Sequence, residues 1–196
     1  MYFKTTFLYL LFIVSINHTM ENNYDILDTI DSNLAIEKKL SLIEDLIKQN
    51  ANVNLVKFDY LGSTPLLLAA KRFDHDKIII ALRKAGADPY TTDSNHFCSI
   101  QKAISHDLPD NLKALLVDIS DNKKVVSKNI YYQSDMGDTF LHDAVGYVTE
   151  DNVNTRIEMI KILFEHKIDP NIRGTSHLKS SALDIAIQKK RRGWPR

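Results

Sequence analysis

The chain has 196 residues, 44% of them hydrophobic, and its 25 lysines and arginines balance its 25 aspartates and glutamates. A net charge of zero argues against a globally basic nucleic-acid binder and against a protein held on a membrane by charge. The single cysteine, Cys98, excludes an internal disulfide framework and a multi-cysteine metal site. The length suits one elongated domain.

The first 19 residues have a charged start and then a mostly apolar run from Thr6 to Ile16. This order is typical of a secretory signal, and the run is shorter than the roughly 20 residues of a membrane span. Two alternatives stay open. Either the chain is secreted through this segment, which would touch a membrane if left uncleaved, or Met20 is the natural start and the chain is cytoplasmic.

Helical signals begin after this leader. An inner helix is expected near residues 24–32, and apolar residues within 42–48 predict an outer helix. Thr64 can then cap a helix whose first residue is Pro65, a position where a missing N–H has no cost. The helix over 65–70 and a second apolar run, ended at Gly86, form one helix-turn-helix unit.

The same unit recurs downstream. A weaker copy places Cys98 at the cap position, and a third copy places Thr139 there. The outer helix of the third copy is expected to use Ile157, Ile160, Leu163 and Phe164. A last inner helix follows Ser181.

These units resemble the ankyrin repeat, a paired-helix unit of about 33 residues. The resemblance implies an all-α fold: an ankyrin-type α-solenoid of helix-turn-helix repeats with short hairpin-like loops, about four repeats plus a partial C-terminal one. The expected segments are a signal or non-native leader (1–19), a divergent N-terminal capping repeat (20–58), an ankyrin-like repeat (59–91), a weak repeat with an inserted loop (92–134), a repeat with a long inter-helix loop (135–171) and a partial C-terminal repeat with a basic tail (172–196).

The cap positions are unevenly spaced. Thr64 and Cys98 lie 34 residues apart, whereas the next two steps are 41 and 42 residues. The longer steps predict insertions within 120–134 and 148–155. Both fall in connections, where added length has a mild cost.

Several residues depart from the ankyrin pattern. Leu67 stands where the family has histidine, while His96 and Lys167 replace turn glycines, so strained or rearranged turns are expected. The resemblance gives His142 a scaffold role, bonded to Thr139 and linking neighbouring loops. Residues 74–76 are expected to form a solvated polar connection.

Motifs of catalysis do not occur in the sequence. It has no glycine-rich phosphate loop, zinc-binding histidine pair, hydrolase elbow or paired-cysteine motif. The chain is therefore predicted not to be an enzyme and to use no cofactor, metal or small-molecule substrate. An enzyme accessory with an unmarked site is a rival reading.

Ankyrin repeats bind other proteins through hairpin tips and inner helices, so the resemblance implies a non-catalytic interaction module with an unidentified protein partner. Abundant Ile, Lys and Asn suit an intracellular microbe, from which an exported chain would act as an effector-like protein. The family pattern places the groove at Tyr60, Leu61, Ser63, Lys71, Arg72, Ser94, Asn95, Phe97, Ser105, His106, Asp135, Met136, Asp138, Gly146 and Tyr147. Tyr60, Phe97, Met136 and Tyr147 are the expected anchors.

The C-terminal end leaves two further questions. The basic run over 189–196 either contacts nucleic acid or acidic lipid, or is a helix end whose cations suit the helix dipole. The last inner helix would keep an apolar side uncovered, which self-association, a partner or a longer natural chain would explain.

Overall fold

A computed structural model describes residues 26–57, 61–117, 134, 137–174 and 179–191. The helices within these ranges are α1 (26–31), α2 (Ile36–Lys48), α3 (Pro65–Ala70), α4 (Asp76–Lys84), α5 (Ser99–Ser105), α6 (Pro109–Leu116), α7 (Phe140–Gly146), α8 (Val153–Glu165) and α9 (Ala182–Arg191). The described residues form isolated bridges but no strand, which confirms the predicted all-α class. None of the described helices combines the length and apolar character that crossing a bilayer requires.

The helices pack in two rows. Each inner helix contacts the next, in the order α3, α5, α7 and α9, and the outer helices follow as α2, α4, α6 and α8. The two rows also meet within each unit, as α3 with α4, α5 with α6 and α7 with α8. The paired helices therefore lie side by side and share one apolar core.

One position shows how neighbouring repeats cover each other. Leu66, Ile100 and Leu141 each stand two residues after a cap residue, and all three are buried. Leu183 stands at the same place in the last inner helix and is 48% exposed. The difference arises because α9 contacts α7 on one side and has no further helix of the described residues on the other.

Short hairpins precede the inner helices. Antiparallel bridges join Lys57 to Ser63, Thr92 to Cys98 and Arg173 to Ser181, each at the start of a new unit. The tips also contact each other, since the Ser94 amide donates to the Leu61 carbonyl at 2.9 Å. Gly62 is required there, because it has a φ of +72° and a Cβ atom would lie 3.1 Å from the Ser94 hydroxyl.

Non-glycine residues occupy left-handed turn positions. His96 and Lys167 have φ angles of 62° and 60°, which confirms the expectation of strained turns at these two replacements of glycine. Asp74 and Asp107, which follow α3 and α5, have similar angles of 60° and 57°. Aspartate tolerates this region better than most residues, because its short side chain can bond locally.

Polar side chains connect one repeat to the next. The Asn111 side-chain amide of α6 donates to the carbonyls of Ala70 at 3.2 Å and Arg72 at 2.7 Å, beyond the end of α3. Asn111 is buried, so this bond satisfies carbonyls that the helix itself leaves unpaired.

His142 has the predicted scaffold role. Its Nδ1 accepts from the Thr139 amide at 3.1 Å, and its Nε2 lies 3.1 Å from the Ser180 carbonyl. Because a carbonyl only accepts, Nε2 carries the hydrogen and Nδ1 is the acceptor. The ring thus caps α7 and holds the loop before α9.

The helix α8 turns Arg156, Met159 and Leu163 toward the core and leaves Ile157 and Phe164 exposed. One expectation about burial was wrong. His75 is buried, unlike the solvated residue expected. Its Nδ1 lies 2.7 Å from the Phe73 carbonyl, and burial lowers the pKa of its imidazole.

Candidate binding groove

The groove positions predicted in the first signature repeat differ in exposure. Leu61 is 63% exposed at the hairpin tip, whereas Ser63 is buried in the bridge to Lys57. Lys71 and Arg72 are half-buried after α3, and the Arg72 guanidinium pairs with Asp31. Ser63 thus contributes to the hairpin rather than to an accessible surface. Tyr60 lies outside the described residues.

The second set of predicted positions is more accessible. Ser94, Asn95 and the edge of Phe97 are exposed at the hairpin tip, and Ser105 and His106 are exposed at the end of α5. The Phe97 ring is held in place because the Lys102 ammonium lies 4.9 Å from its centre. Lys102 is in turn fixed by Asp93, whose carboxylate is 2.7 Å away.

In the third set, Tyr147 and Gly146 are exposed at the end of α7, and Asp138 is half-buried. Tyr147 exposes 57% of its surface. Asp135 and Met136 lie outside the described residues. Of the four expected aromatic or methionine anchors, Phe97 and Tyr147 can therefore be located, and both are accessible.

These two aromatic side chains line one cavity, which we call the groove pocket, with a volume of about 420 Å³. It lies between α5, α7 and the start of α8. Its wall consists of Phe97, Gln101, Lys102, Ile104, Ser105, Asp107, Asp143, Tyr147, Asn152 and Arg156. The two aromatic rings and Ile104 give it an apolar part, and the other residues give it a polar one.

A buried ion pair forms part of the wall. The Arg156 side chain of α8 is almost fully buried, and its Nε lies 2.5 Å from an Asp107 carboxylate oxygen without the alignment of a hydrogen bond. Asn152 donates to the other Asp107 oxygen at 3.1 Å and to the Tyr147 carbonyl at 3.2 Å. These contacts join the turn after α5 to the loop between α7 and α8.

Asp143 is the carboxylate of the inner wall. It stands on α7, and one of its oxygens accepts from the Gln101 side-chain amide at 3.0 Å. Burial, with a smaller contribution from the nearby charge of Asp138, raises the pKa of Asp143 to about 6, although the Gln101 hydrogen bond opposes the shift. No cation of the described residues lies within ion-pair distance of it.

Sequence reasoning missed the polar half of this pocket. Asp143 follows His142 directly, but nothing in the sequence shows that the carboxylate would meet Gln101 of the preceding repeat. A signal for Arg156 did exist. It stands three and seven residues before Met159 and Leu163, so helical periodicity places it on the same inward face.

Catalytic and metal-binding arrangements are not evident among the described residues. No group of three histidine, cysteine, aspartate or glutamate side chains there could hold a metal ion. Cys98 is buried at the start of α5, and burial raises the pKa of its thiol to about 12. The thiol is therefore protonated and unreactive at neutral pH, as expected for a small packing residue.

The family model described as the ankyrin repeat matches residues 61–94. The chain contains an ankyrin repeat. The match covers α3, α4 and the following hairpin, the unit with the Thr64 cap and the Gly86 turn. Ankyrin repeats are modules of protein interaction and are typically non-catalytic, so the protein belongs with interaction modules. No curated protein matches the chain significantly.

Proposed function

We propose that this ankyrin-repeat protein binds a partner protein through the groove pocket and the exposed hairpin tips beside it. The observation that carries the proposal is the joint presence of Phe97 and Tyr147 in the wall of one open cavity. Aromatic side chains dominate the energy of protein interfaces because they bury a large area and lose little conformational freedom.

The shape of the groove favours a protein ligand over a small molecule. The pocket is continuous with exposed polar residues, Ser105 in its wall and His106 beside it. An apolar centre with a polar rim is the usual arrangement of a protein interface. Contacts with neighbouring side chains already hold Phe97 and Asn152 in place. Binding would therefore cost little side-chain conformational entropy at these two residues.

Affinity capture with matched variants tests the proposal. The groove variant is Phe97→Ala/Tyr147→Ala, and the control is Leu183→Ala/Ile187→Ala, which removes two exposed apolar side chains from α9. We expect proteins retained by the natural chain and the control to be lost from the groove variant, with the helical circular dichroism of all three unchanged. Retention of the same proteins by the groove variant would reject the groove as the binding site.

Export as an effector-like protein is a finer proposal, supported by the charged start and apolar run of residues 1–16. A fusion of residues 1–19 to a reporter enzyme tests it, with a fusion that begins at Met20 as the control. Secretion of the first reporter alone is the expected result. Equal retention of both inside the cell would support the alternative in which Met20 is the natural start.

A further inference from the structure

One carboxylate in the wall of the groove pocket has no ion-pair partner among the described residues. The two cations of the wall are already paired, Lys102 with Asp93 and Arg156 with Asp107. Asp143 remains as a carboxylate without a cation among the described residues. Lys189, which is close to the pocket but not in its wall, is held by the carbonyl oxygens of Gly146 and Val148.

A second cavity of about 180 Å³ adjoins the groove pocket, since Asp107 lies in the walls of both cavities. We define the acidic rim as four further residues of this cavity, Phe73, Asp74, Asp76 and Asp110. Phe73 is 83% exposed, a large fraction for an apolar side chain.

Few cations among the described residues neutralise the carboxylates of the acidic rim. Lys113 lies 3.7 Å from Asp110, but it is 2.8 Å from Glu158 and so is shared. Asp74 and Asp76 have no ion-pair partner among the described residues, although the dipole of α4 offsets part of the charge of Asp76. Among the residues that the structure describes, no lysine or arginine lines this cavity.

We propose that the partner presents a basic segment, with one arginine or lysine side chain in the groove pocket at Asp143 and further cations along the acidic rim. The proposal rests on the proposed function and adds the chemistry of the partner. Charge complementarity is its main argument, because carboxylates that have no ion-pair partner on a binding surface favour a cationic ligand and disfavour an acidic one.

The groove pocket also fits the shape of such a side chain. Arginine and lysine have an apolar stem and a charged head, and the pocket has aromatic walls with a carboxylate on its inner side. The stem can pack against Phe97 and Tyr147 while the head reaches Asp143. An aromatic face attracts a cation in its own right, which makes the two contacts cooperative.

Selection of random 12-residue peptides displayed on phage tests the inference with the full chain. One selection uses the natural chain, and parallel ones use the groove variant Phe97→Ala/Tyr147→Ala and the charge variant Asp143→Asn. We expect arginine and lysine to be enriched on the natural chain and this enrichment to be lost on Asp143→Asn. Groove-dependent peptides without basic enrichment would overturn this inference and leave the proposed function standing. Failure to select any groove-dependent peptide would overturn both.

A selected peptide then gives the quantitative test by fluorescence anisotropy. We expect Asp143→Asn and Asp74→Asn/Asp76→Asn each to weaken its affinity by about tenfold, and high salt to weaken it as well. Glu44→Gln, a change of the same charge on the exposed side of α2, should leave the affinity unchanged. Equal affinity for all variants would contradict the inference.

The chain's own basic tail is the competing occupant. A chain that lacks residues 192–196 is expected to bind the selected peptide as the full chain does. An affinity gain of about tenfold or more after this deletion would show that the tail occupies the groove, and would overturn the assignment to a partner.

Discussion

The repeat that matches the family model and the repeats that line the groove pocket differ in what their residues do. Within residues 61–94, the recognisable positions are a turn glycine, a helix cap and buried side chains, all of which serve folding. Every residue in the groove pocket wall lies after them, from Phe97 to Arg156. Family signatures thus mark the scaffold, and the wall of the groove pocket comes from the repeats that follow the matched one.

The largest expected effect is a loss of stability at a buried residue of the matched repeat. Leu66→Ala should lower the free energy of unfolding by about 3 kcal/mol, because it removes a fully buried side chain between two repeats. Leu183→Ala at the equivalent exposed position is the control, with an expected loss below about 1 kcal/mol. Urea unfolding followed by circular dichroism measures both. Similar losses would show that α9 is covered in solution, which would support self-association.

A slightly smaller effect is expected from the link between repeats. Asn111→Ala should lower the free energy of unfolding by about 2 kcal/mol, because it leaves buried carbonyls after α3 without a donor. Asn95→Ala, an exposed change in a hairpin tip, is the control and should have almost no effect. An Asn111→Ala chain as stable as the natural one would contradict the linking role.

The ionised carboxylate of Asp143 is expected to lower the free energy of unfolding at neutral pH. Its folded pKa of about 6 exceeds the ordinary value of 3.8, so between these values the folded chain holds a proton that the unfolded chain has released. Its contribution to stability therefore falls as pH rises through this window. Relative to the natural chain, Asp143→Asn should gain about 1–2 kcal/mol at pH 8, and the gain should vanish below pH 3.8.

Unfolding curves for the two chains at several pH values give this difference directly. Asp138, His142 and Arg156 face the same carboxyl, so Asp138→Asn serves as the comparison for a neighbouring carboxylate. A gain for Asp143→Asn that does not change with pH would show that Asp143 is not the titrating group. A variant that is more stable but binds more weakly would sharpen the contrast between scaffold and binding surface.

The smallest effect concerns the helix cap of the matched repeat. The Thr64 hydroxyl accepts from the Leu67 amide at 3.2 Å, so Thr64→Ala should lower stability by about 1 kcal/mol. Thr64→Ser keeps the acceptor and should restore most of the loss. Equal losses for both variants would indicate that packing of the threonine methyl group matters more than the cap.

Much of the scaffold followed from the sequence. Thr64, Pro65 and the apolar spacing after them act locally, so they predicted α3, and the same pattern predicted α5 and α7. The link from His142 to Thr139 followed from the ankyrin resemblance. Local rules failed at His75, because its burial depends on which neighbouring helix packs against it.

The groove pocket was only half predictable. Phe97 and Tyr147 occupy positions that the family pattern places on the groove side. The partners of Asp107 and Asp143 come from other repeats, 49 residues away at Arg156 and 42 away at Gln101. Both separations span the insertion within 120–134, and no local pattern specifies which residues meet across it.

Photo-crosslinking tests most directly whether a partner protein binds at the groove pocket. A crosslinking phenylalanine analogue would replace Phe97 in the groove pocket or Phe164, a comparably exposed aromatic residue on the outer helix α8. The expected result is a covalent adduct with a partner protein from Phe97 and none from Phe164. Adducts from Phe164 alone, or equally from both positions, would contradict the account.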